Sequence, residues 1–244
     1  MTDQKVFVAS AESKAQAKQL RLFATLAWVV AMAGQIFAIL KLIHNQTLVW
    51  LIVAIVVILV LAVTGSMLWK KANRLDPASE KDKARFFIQN QLGAILGVLA
   101  FLPLVILIFM NKDIDGKTKG IAGAIAVVAM LIAGITGIDF NPPSVEKYTD
   151  QINQQTDILK KLTPGNEMVY WTREGNKYHI YEDCQHIKGR EGITKGTIKE
   201  SFEKRGISEL CLTCQSRAQK GSNMSPADLG NKAKNIVDSI KKPK

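Results

Sequence analysis

Four long apolar runs constrain this chain more than any other feature. Leu22–Ile43 and Leu48–Trp69 each extend 22 residues, Leu92–Met110 extends 19 and Ile121–Ile138 extends 18. Only Lys41, near the end of the first, interrupts them with a charge. About 20 mostly apolar residues in a helix cover the roughly 30 Å of bilayer hydrocarbon. In that layer each backbone N–H and C=O must be satisfied within its own segment, so helix is the expected state. Four such runs are foreign to the core of an ordinary soluble domain. The first run is longer than a signal-peptide core and no small-residue cleavage site follows it, so it is expected to stay in the mature chain.

The remainder, from Ser144 to Lys244, is polar and charged. The chain carries 32 Lys and Arg against 21 Asp and Glu, a net charge of +11, and the excess is unevenly placed. Lys5, Lys14, Lys18 and Arg21 precede the first run, and Lys70, Lys71, Arg74, Lys81, Lys83 and Arg85 occupy the second loop. The opposite side has only Lys112, Lys117 and Lys119, plus Lys41 at a run end. Positive loops stay inside, so both termini are expected in the cytoplasm of a multi-pass cell-membrane protein. Trp28, Trp50 and Trp69 fall near the expected interfaces.

Small residues mark how the spans associate. Ala122, Ala126, Ala129, Ala133 and Gly137 form a stripe on the fourth, and Gly93 and Gly97 form a GxxxG pair on the third. Such stripes bring helices close, either within the bundle or at a homo-oligomer face. Pro103 is positioned to kink the third span. A small transporter component is an alternative reading, but it calls for ionisable groups at mid-membrane. The spans carry no charge away from their ends, and the polar residues singled out inside them, Gln35, Thr64 and Thr136, are all uncharged.

Pro142-Pro143 begins the polar half. Val145, Tyr148, Ile152, Gln155, Leu159 and Leu162 follow a heptad track, which predicts a juxtamembrane amphipathic helix over 144–163. Its stripe either docks on the chain's own domain or pairs with a second copy. Val169–Thr172 and Lys177–Tyr181 flank Arg173-Glu174-Gly175-Asn176 and read as a hairpin. Thr197 with Glu200 is a capping-box pattern, and Gly206 fits the helix end. Residues 225–244 read as a basic amphipathic tail, suited to an anionic lipid surface.

All three cysteines lie between Cys184 and Cys214. An odd count in a reducing compartment argues against a disulfide framework. His179, Cys184, Cys211 and Cys214 supply one imidazole and three thiolates, a set suited to a closed tetrahedral zinc site, Zn2+ being the expected cofactor. His186 competes with His179 as the fourth ligand. The expected fold is therefore an α-helical membrane protein: an N-terminal arm (1–21), four transmembrane helices (22–140) and a small α+β zinc-binding cytoplasmic domain (168–220).

The run Trp171-Thr172, Gly175, Tyr178-His179, Cys184, Ile187, Gly206, Cys211 and Cys214 resembles the small metal-binding domain of the Ada DNA-repair protein. The resemblance spans residues 169–217 and implies zinc held by Cys184, Cys211, Cys214 and His179. Ada-type domains use four cysteines, one of which accepts a methyl group; this chain has three. Four spans joined to such a module also resemble a group of multi-pass proteins of Gram-positive bacteria, which implies no reaction. The expected partners are the lipid bilayer and a cytoplasmic protein, for binding or regulation. Nucleic acid, or alkyl acceptance by a zinc thiolate, is the alternative. The first of these is weakly supported, because residues 169–220 carry ten basic against seven acidic groups.

Overall fold

All four apolar runs are helical in this computed structural model, which describes residues 6–221. They form α1 (Ala11–Lys41), α2 (Leu48–Leu75), α3 (Lys83–Leu99) with α4 (Leu102–Met110), and α5 (Gly116–Gly137). A short 3-10 turn, Asn45–Thr47, links α1 to α2. Each of the four helical stretches is long and apolar enough to cross a membrane. The third is interrupted because Pro103 lacks an N–H and its ring would strike the carbonyl of Leu99. The chain ends α3, turns through Ala100 and buried Phe101, and restarts as α4 with Pro103 in its first turn. Asp82 and Asp115 cap α3 and α5, accepting from the N–H groups of Arg85 and Thr118.

Side-chain size explains how these helices pack. On α5 the face formed by Ala122, Ala126, Ala129, Ala133 and Gly137 is buried against α2 and α3. A Cβ placed on Gly97 would lie 2.7 Å from the Ala133 carbonyl oxygen, so glycine sets this crossing. The small-residue stripe is thus consumed inside the bundle. Ser66 Oγ donates to the carbonyls of Ala62 and Gly93 at 3.0 and 3.3 Å, and Trp28 Nε1 donates to that of Ala62. The outward faces are apolar: Val53, Val56, Val57 and Val60 of α2 are exposed, as are Val128, Leu131 and Ile135 of α5.

The chain divides into two compact units, Lys14–Pro142 and a second made of Met1–Ser13 with Pro143–Lys244. In the second, α6 (Val145–Leu162) starts at Ser144, whose hydroxyl accepts from Lys147 N–H. Its stripe docks on its own unit. Leu159 and Leu162 share a core with Val169, Trp171, Tyr178 and Ile198, and Ile152 packs with Phe7 and Phe202.

The strands are β1 (Met168–Trp171), β2 (Lys177–Tyr178), β3 (Thr194–Thr197) and β4 (Glu209–Leu210). The expected hairpin is reduced to one bridge between Tyr170 and His179, with both N–H···O bonds at 2.7 Å. β1 instead runs antiparallel to β3, Met168 opposite Thr197 and Trp171 opposite Thr194, and β2 runs parallel to β4. The capping box of Thr197 and Glu200 opens α7 (Ile198–Arg205), and Gly206, at φ 67°, closes it in the left-handed conformation that glycine tolerates. α8 (Leu212–Gly221) follows β4 directly after Cys211. The expected tail helix at 225–244 lies outside the described residues.

Of the expected N-terminal arm, residues 6–13 belong to this second unit, whereas Lys14–Arg21 are part of α1 in the other. Phe7 sits edge-on to Tyr148 and Phe202, with ring centroids 5.1 and 5.7 Å away. Its N–H donates to Thr149 Oγ1, and that of Val8 to Glu203 Oε1. Ser13 Oγ donates to the Glu203 carbonyl.

Candidate metal centre

Three backbone segments deliver the four sulfur and nitrogen donors. His179 follows β2 and is fixed by its bridge to Tyr170. Cys184 lies in a turn whose carbonyl accepts from the N–H groups of Ile187 and Lys188 at 2.9 and 2.8 Å. Cys211 and Cys214 flank the start of α8, and Cys211 N–H donates to the Tyr178 carbonyl at 2.9 Å, tying the cysteine pair to the residue before His179.

The donor atoms of His179, Cys184, Cys211 and Cys214 all lie within 4.8 Å of one another, and all four residues are buried. Cys214 Sγ is 3.8 Å from His179 Nδ1, so Nδ1 faces the sulfurs. Tetrahedral bonds of about 2.3 Å to sulfur and about 2.0 Å to nitrogen give edges of about 3.5–3.8 Å, so small side-chain adjustments close this set around one ion. None of the three cysteines forms a disulfide. The donor chemistry fits: three thiols packed together in a core are stabilised as thiolates by a cation. Four protein donors leave no position open for water or substrate.

Without an ion the two cysteines of the CxxC turn differ. For Cys211, burial is the largest influence and opposes ionisation, but hydrogen bonds from the N–H groups of Cys214 and Thr213 at the start of α8, together with those of the Cys184 and Thr213 side chains, hold the thiol below its ordinary value. Burial pushes the Cys214 thiol up to about 12. Burial, reinforced by His186 and Arg190, holds the His179 imidazole below its ordinary value.

His186, the competing ligand, is exposed. Its Nε2 lies 3.0 Å from Thr213 Oγ1, and its ring centroid is 6.4 Å from that of His179. Two residues that ligand spacing does not reveal support the centre. Tyr178, fully buried, donates its hydroxyl to Gln155 Oε1 of α6 at 2.7 Å. Burial raises the Tyr178 phenol, which stays a donor. The heptad track contains Gln155 as its one polar position, and that misfit is the sequence signal for this bond. Comparison of the chain with family models, curated proteins and solved structures finds no match to any of them.

Proposed function

We propose that this is a multi-pass membrane protein that displays a structural zinc module on the cytoplasmic side for binding a protein partner. The observation that carries this reading is the buried Cys3His cluster in a unit with very short strands. One imidazole with three thiolates suits zinc among the available divalent ions. Structural zinc contributes about 10–16 kcal/mol in small domains. The net stability of a whole domain is only about 5–15 kcal/mol, so the ion decides whether this unit is ordered. A closed site argues against catalysis at the metal and leaves the module's surface as the working part.

The outward valines and leucines of α2 and α5 would form an untenably large apolar surface in water, which supports their place in lipid. Phe7 precedes the first apolar helix and Phe202 follows the last, yet they touch. Chain segments held in one unit on both sides of the helical stretch require an even number of crossings, and four satisfies this. The Lys and Arg asymmetry supports the cytoplasmic side for both.

The test is metal analysis of the full chain purified in detergent under reducing conditions. One zinc per chain is expected, retained by His186→Ala and lost or strongly weakened in His179→Ala. Zinc loss confined to His186→Ala overturns the ligand set, and a folded chain without metal overturns the reading.

A further inference from the structure

Resting on the reading of His179, Cys184, Cys211 and Cys214 as a loaded metal centre, we propose that metal binding and docking of residues 6–13 are reciprocally coupled through α6. The loaded centre holds the segment that enters the first apolar helix clasped to the domain, and the empty centre releases it.

Helix α6 contributes to two distinct cores. Its last turns put Leu159 and Leu162 into the core that contains Cys184, Cys211 and Cys214. Its first turns supply Tyr148, Thr149 and Ile152, which hold Phe7. Between them Gln155 accepts the Tyr178 hydroxyl. Tyr178 immediately precedes His179, and its carbonyl takes the Cys211 N–H. Rearrangement of the ligands therefore displaces the residue that α6 leans on.

The other wall of the arm's groove is subject to the same constraint. Phe202 and Glu203 of α7 contact the arm, and Ser201 Oγ, fully buried, bonds the carbonyls of Ile198 and Ile207. Ile207 packs in the core with the cysteines. The arm itself contributes one aromatic ring and a few hydrogen bonds, too little to order α6 and α7 once that core loosens. Linkage then makes the effect symmetrical: a metal that tightens the arm is itself tightened by the arm, by the same factor.

The experiment uses the full chain in detergent micelles, with bound zinc quantified and amide hydrogen exchange followed at Phe7 and Val8. Stripping zinc with a chelator should speed exchange at these two amides about tenfold or more. Conversely, Phe7→Ala should still load one zinc per chain but surrender it to a competing chelator at about tenfold lower chelator concentration. Thr149→Val, which deletes only the acceptor of the Phe7 N–H, should shift both readouts the same way and guards against a misfolded Phe7 variant. Zinc removal that loosens residues 168–220 without changing exchange at Phe7 and Val8 overturns the coupling alone, as does an unchanged chelator competition in both variants. A chain that takes up no zinc overturns the metal reading and the coupling with it.

Discussion

The imidazole of His179 carries the clearest pH dependence at the residue scale. Its folded value is depressed by burial, then by His186 and Arg190, whereas unfolded histidine titrates near 6.5. The unfolded chain thus binds the proton first as pH falls. The stability this residue contributes is complete above about pH 6.5 and is lost as pH drops through the lower folded value. Protons and the ion compete for this nitrogen, so zinc bound by the full chain in detergent at a fixed chelator concentration should fall as pH drops from about 7.5 to about 5.5. Zinc retention unchanged over that range would remove His179 from the ligand set. The cysteine positions were legible because ligand spacing is a local pattern. The choice between His179 and His186 was not, since both lie within five residues of Cys184. Depth separates them: a backbone bridge to Tyr170 draws His179 into the core. Phe7 was missed because it stands in a polar arm with no periodic partner; its only signal was the short apolar run Val6-Phe7-Val8-Ala9.

Among the elements, the crossing of α3 on α5 offers the sharpest contrast between two glycines. At Gly97 a Cβ would meet the Ala133 carbonyl oxygen at 2.7 Å, and a backbone atom in a helix cannot move aside. At Gly120 nothing lies within 4 Å. Gly97→Val should therefore destabilise the bundle by about 1–3 kcal/mol through overpacking. Gly120→Ala should leave it unchanged or gain up to about 1 kcal/mol from helix propensity. Thermal unfolding in detergent, followed by helical circular dichroism, checks the order; a Gly97→Val melt equal to wild type contradicts the described crossing. Helices were readable because run length and Pro103 are physical constraints acting within a segment. The pairing of β1 with β3 was not readable. Thr194-Lys195-Gly196-Thr197 has no apolar alternation, and β2 and β4 are two residues each, so their partners are chosen by the surrounding core.

Considered whole, the molecule keeps its apolar helices and its metal donors in different cores. The bundle core is built from residues between Ala31 and Ala133, and the donor-containing core from residues between Leu159 and Ala218. Only the second has sulfur at its centre, and its strands run two to four residues. A four-helix bundle with internally satisfied backbone needs no ion. On the proposed reading of its Cys3His cluster, a small unit with so few ladder hydrogen bonds does, because structural zinc would be worth as much as its whole expected stability. Removing zinc should thus divide the chain's behaviour rather than melt it uniformly. With chelator and reductant present, trypsin should cut at Lys and Arg within 168–220, while the helices of 14–142 persist as a protected fragment in detergent. Adding zinc back should restore resistance in the polar half. Cleavage of the bundle on chelation would show that its order depends on the ion, and a polar half that stays resistant without zinc would show that its core stands alone.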